Sequence, residues 1–577
     1  MKSDQELRDR LVTDIAAQLD EFDEENAAME AFVEERSERF VLGSRETVLE
    51  ELLAHASATG GDGYVCLIGA PGSGKSALLA HLSQHATLNA QPSTLLIRHF
   101  VGASPGSTDV RRTLRRLCHE LKAGCPDITA DIPDDPEKLR VAFPDFLRQA
   151  CARQCVVILL DAINQFDPAS HSAGLHWLPE ELPANARFIL SALDGMALEE
   201  LRRRRRKPRE IELKPLTAAD GEAIIEQFRK RYRKQFEPDQ IELLLGKDKS
   251  GKLNKTDSDK PLYLLAALEE LRTLGTYEEI TQRIAELPPT TNEMFAWILE
   301  RLENDDGFRD ASGRRVGHEL VSRFVALLGA SRYGLSQREL ADLLDAGDPQ
   351  GNVAALLHLL RPYLMRRGEL LDFYHGQFRA AIENRHLADD EARQSVHSSL
   401  ADYFATRPAG ARQFDELPWE LAEARLWAKL FGLLRDLDMF DALWRHNPFD
   451  LKRYWTLLEG HSDFRLAKAY YLPSDPSSIT GHQAATWVRI ARLLYDTDNV
   501  AEAAVRIEAV VGVVRKAGNL LDLQAALGVF GLCRAGQGRH DEALEAFVER
   551  ERICRQLGDM HGLQESLAPQ GAVYMNC

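Results

Sequence analysis

The sequence predicts a mostly α-helical, multidomain chain whose front portion is an α/β domain built on a five-stranded parallel sheet. Three observations carry this. Between about residues 41 and 215, five short apolar runs alternate with helical stretches: YVCLIG (64–69), TLLIRHF (94–100), VVILLD (156–161), ARFIL (186–190) and REIEL (209–213). That alternation is the pattern of a doubly wound sheet. From about 216 onward no comparable strand set recurs, and helical periodicity dominates to the end. Near the C-terminus the sequence matches itself at an offset of 40 residues. A length of 577 residues, at roughly 100 to 200 residues per domain, predicts about three to five domains.

Taken in order, residues 1–40 carry 13 acidic and 5 basic side chains around Leu7, Leu11, Ile15, Leu19 and Phe22. This is the spacing of a helix with one apolar stripe, an acidic helical lead-in. Residues 41–215 are the α/β domain. Residues 216–312 form a helical domain, opened by Thr217 and Asp220 as a capping box, in which hydroxyl and carboxylate satisfy free N–H groups of the first turn. A second such start, Ser336 to Glu339, lies within 313–390, where two helical segments precede two short extended pieces around Arg367-Gly368. That order predicts a winged helix. Residues 391–480 are a helical connector.

Residues 481–577 hold the self-match: Ala491, Gly531 and Gly571 are small, Ala503 corresponds to Ala543, Ile507 to Phe547, Gly518 to Gly558 and Leu523 to Leu563. Small residues at helix contacts and glycine at helix ends are what stacked helix pairs need, so these read as tetratricopeptide-like repeats forming an α-helical solenoid. The repeat begun at Gly571 has no second helix, and the natural protein, or its relatives, is expected to continue beyond Cys577.

Composition narrows the function classes. With 71 Lys and Arg against 89 Asp and Glu the formal net charge is −18, so general binding to nucleic acid or anionic membrane is not expected. The run Arg202 to Arg206 with Lys207 is basic, but it lacks interleaved aromatics and reads as a solvated helix end rather than a nucleic-acid patch. The segment VAALLHLLRPYL of the winged helix offers almost nothing to phosphates or base edges. Eight cysteines without paired CxxC spacing imply neither zinc nor a disulfide framework; Cys151 and Cys155, four apart, could share a helix face. No signal segment and no run of 18 apolar residues occurs, which points to a cytoplasmic protein.

The strongest chemical signal is Gly69-Ala70-Pro71-Gly72-Ser73-Gly74-Lys75-Ser76, a match to GxxxxGK[ST] between the strand YVCLIG and the helix KSALLAHLSQHA. Its glycines let backbone N–H groups converge on phosphate oxygens, Lys75 reaches the β and γ phosphates, and Ser76, followed by Ala77, is placed to ligate Mg²⁺. Asp161, at the end of VVILLD, would hold Mg²⁺ through water. No carboxylate base adjoins it: the following residues are Ala162, Ile163, Asn164 and Gln165. Gln165 can orient a water but cannot take its proton, which predicts slow hydrolysis. ARFIL ends at Ser191, without an Arg or Lys to sense the γ phosphate, and Arg187 reads as structural.

These residues resemble the STAND class of P-loop NTPases, and within it the NACHT-like proteins of the telomerase-associated and nephrocystin type. The likeness covers about residues 30–577 and rests on VLGSRE, the P-loop, HFVGASPGSTDVRRTLRRLCHEL, DAINQ, KPLYLLAALEELRTLG, DFYHGQFRAAI and the closing repeats. It implies that Gly43, Arg45 and Glu46 lie in a segment covering an adenine and that Pro261 packs against the base. It also implies that His375 reaches the β phosphate and reads ADP against ATP. Read without the resemblance, Pro261 is a proline at the first position of a helix, and His375 is a satisfied core or loop histidine. Asn164, Gln165 and Ser191 depart from the wider class.

The resemblance implies an ATP/ADP-controlled signalling switch with Mg²⁺, of a class acting in defence or regulation. Such a switch closes on ADP, forms a homo-oligomer on activation and meets protein partners or a trigger on its repeats. Two rivals remain: a repeat scaffold with a structural or vestigial nucleotide site, and a turnover ATPase that remodels protein or nucleic acid.

Overall fold

The computed structural model of the chain describes residues 22–570, apart from 59, 61–62, 86–93, 134, 168–172, 247–255, 275–278, 345–349, 474, 476–477, 560–561, 564–565 and 568–569. The stripe Leu7, Leu11, Ile15 and Leu19, together with Gly571 and Cys577, lies outside the described residues. The chain divides into two compact units, Met1–Gly329 with Tyr333–His386, and Ala330–Arg332 with Leu387–Cys577.

The first unit is organised on a parallel sheet of β1 (Tyr64–Ile68), β2 (Thr94–Phe100), β3 (Cys155–Asp161), β4 (Ala186–Ala192) and β5 (Arg209–Glu212), ordered β2-β3-β4-β1-β5. The five apolar runs are these five strands. They read as continuous hydrophobic text because both faces of the sheet are covered. Alternate residues feed two cores. Cys66, Ile158, Leu160 and Phe188 face α4 (Val110–Gly124) and α5 (Pro136–Cys151). Val65, Leu67, Val157, Leu159 and Ile189 share the other core with α1 (Asp23–Glu38), α2 (Glu46–Ser57) and α3 (Lys75–Ser83). Cys151 ends α5 and Cys155 begins β3, so the two thiols do not share a helix.

Arg187 is 1% exposed and donates to the carbonyls of Ala58, Gly60, Ala184 and Ala186, which makes it a structural tie at the start of β4. The basic run after α6 (Met196–Arg203) is not uniformly solvated: Arg204 is buried, lies over the Tyr64 ring and donates to the carbonyls of Leu175, Leu178 and Pro179. Arg202 and Arg203 pair with Glu199, Glu210 and Glu200. Half of the run is thus paired or folded inward, while Arg205, Arg206 and Lys207 are exposed.

Helices α7 (Ala218–Tyr232), α8 (Pro261–Leu274) and α9 (Thr291–Glu303) follow, with shorter helices at Pro238–Leu244 and Ile280–Glu286. Then come α10 (Gly317–Ala330), β6 (Leu335–Ser336), α11 (Gln337–Leu344), α12 (Asn352–Leu360), β7 (Leu364–Arg367), β8 (Leu370–Phe373) and α13 (Gly376–His386). Strands β6, β8 and β7 make a small antiparallel sheet whose hairpin turns at Gly368, φ +62°. Met365 of β7 enters the same core as Phe100 and Val157, so this hairpin is docked on the parallel-sheet domain.

The second unit is helical: α14 (Asp390–Ala405), α15 (Ala411–Glu423), α16 (Trp427–Arg435), α17 (Leu437–His446), α18 (Pro448–His461), α19 (Gly481–Asp496), α20 (Val500–Ala517), α21 (Leu520–Gly536) and α22 (His540–Leu557). From α19 to α22 each helix packs on the next. Ala503, Ile507, Val510 and Val514 form the buried face of α20, at helical spacing. Gly518 and Gly558 stop α20 and α22 in left-handed conformations, φ +74° and +72°, where a side chain would be strained.

No helix among the described residues is long and apolar enough to cross a membrane.

Candidate nucleotide-binding site

The loop between β1 and α3 is shaped by positive-φ glycines just ahead of the first turn of α3, Gly72 at +77° and Gly74 at +93°, backbone conformations that side chains resist. A Cβ on Gly69 would press on the Leu213 carbonyl at 3.1 Å. On Gly72 it would meet Leu262 and the Gln377 Oε1, each at 3.0 Å. On Gly74 it would lie 3.5 Å from Pro261 Cγ. The loop is thus in contact with the first turn of α8 and the first turn of α13.

It opens on a cavity of about 1500 Å³. Gly72, Ser73, Gly74, Lys75, Ser76 and Ala77 line it, as do Arg45, Gln165, Pro261 and His375. Asp161 is 2% exposed at the end of β3, and Gly69 lies behind the loop. Glu46, the first residue of α2, is exposed, and Gly43 sits in the turn before it. Pro261 is indeed the first residue of α8, and that position also brings it to the cavity wall.

Lys75 donates to the loop carbonyls of Gly69 (2.7 Å) and Ala70 (3.1 Å). Burial pulls its ammonium down to about 8, against the opposing effect of Asp161. The Ser73 Oγ and the Gln377 Oε1 are buried at this loop without a hydrogen-bond partner. Left-handed glycines, an ammonium satisfied only by loop carbonyls and two orphaned polar atoms fit a nucleotide polyphosphate with a divalent cation.

The ends of β3 and β4 are joined by Ser191. Its hydroxyl donates to the Asp161 carboxylate and accepts from the Ala162 N–H at 2.8 Å. Ala162 itself turns left-handed, φ +60°, and leads into the short turn Ile163–Gln165. Asn164 accepts from the Leu193 N–H at 3.1 Å, so this amide ties two loops together. Gln165 faces Gly102 across from Arg367: a Cβ on Gly102 would lie 3.6 Å from the Gln165 Oε1 and 3.3 Å from an Arg367 Nη. Arg367 pairs with Asp372 at 2.8 Å.

His375 is half-buried on the cavity wall, and desolvation, with Arg36 and Arg39 nearby, holds its imidazole well below the usual histidine range. The Arg36 guanidinium lies 3.6 Å from the centroid of the adjacent Tyr374 ring and donates to the Tyr374 carbonyl at 3.0 Å. Arg39 pairs with Glu269 of α8, also at 3.0 Å. Helix α1 therefore reaches both α8 and the β8–α13 corner. Sequence reasoning missed Arg36, Gln377, Arg367 and the partner of Asp220, because nothing local marks an isolated polar residue whose contact lies well over a hundred positions away.

Residues 42–191 match the AAA ATPase domain family. The chain is 27% identical over 68% of its length to a TPR repeat-containing protein of Dictyostelium discoideum, covering 25% of it. It is 27% identical over 61% of its length to human NACHT domain- and WD repeat-containing protein 1, covering 23% of it. It is 26% identical over 70% of its length to human nephrocystin-3, covering 30% of it. The chain thus spans less than a third of these relatives. Among solved structures it is similar to a STAND (Signal Transduction ATPase with Numerous Domains) protein with a tetratricopeptide repeat sensor from Pyrococcus horikoshii. The TM-score is 0.42 and the identity 14%, covering 91% of this chain and 73% of that one. The resemblance to NACHT- and nephrocystin-type proteins that the motifs carry is borne out, and at residues 42–191 the chain carries an AAA ATPase domain.

Proposed function

We propose that this chain is a nucleotide-controlled switch: it binds adenine nucleotide with Mg²⁺, hydrolyses ATP slowly, and changes its exposed surfaces when ADP is exchanged for ATP. The observation that carries this reading is the meeting of three separate elements on one phosphate loop. Gly72 touches Leu262 at the start of α8 and Gln377 at the start of α13, and Arg45, just before α2, donates to the Ser73 carbonyl, with His375 lining the same cavity. A ligand can shift a conformational equilibrium only through contacts that differ between states, and residues from three elements around one pocket provide such contacts.

In this reading Gly69, Gly72, Ser73, Gly74 and Ala77 shape the phosphate cradle, Lys75 neutralises the phosphates, and Ser76 and Asp161 hold Mg²⁺, Asp161 through water. Gln165 orients water without removing its proton, Arg45 and Pro261 border the base, and His375 reads the β phosphate. A bound Mg²⁺-nucleotide would supply the charge difference between two and three phosphates. Burial favours a neutral His375, which suits a hydrogen-bond donor to phosphate more than a fixed cation.

The segment from α10 to α13, with its β7–β8 hairpin, is read as a winged helix. The helices α19 to α22 are read as the tetratricopeptide-like surface for a protein trigger, with homo-oligomerisation following activation, in the cytoplasm and in a defence or regulatory role. Asn164, engaged with Leu193, favours a second reading, a repeat scaffold with a structural nucleotide, because it leaves no carboxylate base beside Asp161.

The test is to purify the chain without added nucleotide, denature it and identify what is released by chromatography. Near-stoichiometric ADP is the expected result. A protein that is empty and takes up neither ATP nor ADP would overturn the switch.

A further inference from the structure

The Asp220 carboxylate does more than start a helix. It accepts from Thr217 N (2.9 Å) and Thr217 Oγ1 (2.7 Å), the capping box of α7. It also accepts from Ser44 N (2.8 Å) and Ser44 Oγ (2.6 Å), in a loop 176 residues earlier. The approach is close enough that a Cβ on Gly43 would collide with Asp220 Oδ1, and Gly43 takes a φ of +47°. Arg45, which follows Ser44, is 3% exposed and donates to the Ser73 carbonyl of the phosphate loop at 3.0 Å. Burial, which would raise the Asp220 carboxyl, is outweighed by the hydrogen bonds from Ser44 and Thr217, which bring it to about 2.

The two tethered segments both contribute apolar side chains to the cavity. Phe40 and Val41 line it just before the Ser44 loop, and Leu216 and Ile224 line it on either side of Asp220 in sequence. Flat heteroaromatic bases favour such slots, in which the spacing of the walls decides the fit. One carboxylate joins the two segments that carry those walls.

We propose that Asp220 is a positioning residue for the base of the bound nucleotide: by holding the Ser44 loop against α7 it sets the width of the slot between Phe40, Val41, Leu216 and Ile224. This rests on the nucleotide-binding reading above. It separates recognition of the base from capture of the phosphates, which belongs to the P-loop.

The experiment is calorimetric titration of the full chain with Mg²⁺-ATP and, separately, with Mg²⁺-tripolyphosphate, comparing wild type with Ser44→Ala and Asp220→Asn. Ser44→Ala removes one hydrogen bond of the tether and leaves the Thr217 cap intact, so it serves where Asp220→Asn fails to fold. Loss of a hydrogen bond to a charged group should weaken ATP binding about tenfold, with tripolyphosphate affinity unchanged. Equal losses for both ligands, or no loss for either, would overturn the proposal. Wild-type protein that binds tripolyphosphate as tightly as ATP would overturn it too, since no base slot would then exist. Wild-type protein that binds neither would instead bring down the nucleotide-binding reading itself, and this inference with it.

Discussion

The hydroxyl of Ser191, at the end of β4, donates to the carboxylate of Asp161 at the end of β3 and accepts the N–H of Ala162. Strand β4 lies between the phosphate-loop strand β1 and the acidic strand β3, which is what brings a serine to this position. Both side chains are buried, at 1% and 2% exposure. Ser191→Ala would remove the carboxylate's donor and leave the Ala162 N–H without this acceptor, at a cost of about 1–3 kcal/mol. Denaturant unfolding of the full chain reads the loss, and Ser191→Thr, which keeps the hydroxyl, should recover most of it. An alanine variant as stable as wild type would contradict this assignment.

Nucleotide affinity should fall as pH rises through about 8. Burial disfavours the Lys75 ammonium and lowers it to about 8, while the phosphates of a ligand would stabilise the charged form. Below pH 8 the charge is already present. Above it, binding must take up a proton, and affinity should weaken by up to about tenfold per pH unit. Calorimetry at pH 7, 8 and 9 in buffers of different ionisation enthalpy measures both the affinity and the proton uptake. A binding constant flat from pH 7 to 9 sinks the prediction.

A second pH effect acts on stability, from the opposite side of neutrality. His99 is buried between the Ser107 carbonyl (2.9 Å) and Thr113 Oγ1 (3.1 Å), and burial, aided by Arg116, pulls its imidazole from 6.5 to about 3. The folded value lies below the unfolded one, so the folded protein holds fewer protons between them. The stability contribution is therefore present above pH 6.5 and is lost as pH falls, by about 1.4 kcal/mol per pH unit. In His99→Gln, the slope of unfolding free energy between pH 6.5 and 4 should be shallower by about one proton. An unchanged slope would place the titrating group elsewhere.

In the repeats, corresponding positions exchange volume. Gly531 of α21 sits against the Phe547 ring of α22, where a Cβ would come within 2.6 Å of a ring carbon, while the preceding repeat has Ala491 and Ile507 at these places. Gly531→Ala alone should destabilise by about 1–3 kcal/mol through overpacking. Combined with Phe547→Ile it reproduces the earlier pair and should be more stable than the two single effects add up to, by about 1 kcal/mol or more. Strict additivity in thermal or denaturant unfolding would show that the two positions are not coupled.

Much of the fold was legible because its signals are local. A parallel strand covered on both faces must be apolar throughout, so VVILLD and ARFIL announced themselves as strands. The phosphate loop needs Gly72 and Gly74 at φ angles that side chains resist, and it needs them next to a strand and a helix. Gly518 and Gly558 follow the same logic at the ends of repeat helices. Where local text misled, the cause was a tertiary partner. Arg204 was read with its neighbours as a solvated charge and turned out to be folded over Tyr64 onto three carbonyls.

By itself, then, the sequence determined the five strands, the phosphate loop, the capping boxes and the helical repeats, since each is specified by residues within a few positions of one another. Only the tertiary structure decided what surrounds the loop: Gln377 against Gly72, Arg36 on Tyr374, Ser44 on Asp220. The physical reason is that a buried charge or amide must find a partner, but many partners are chemically equivalent. Which one it meets is chosen by how the helices and the hairpin pack, and that packing is spread over the whole core rather than written beside either residue.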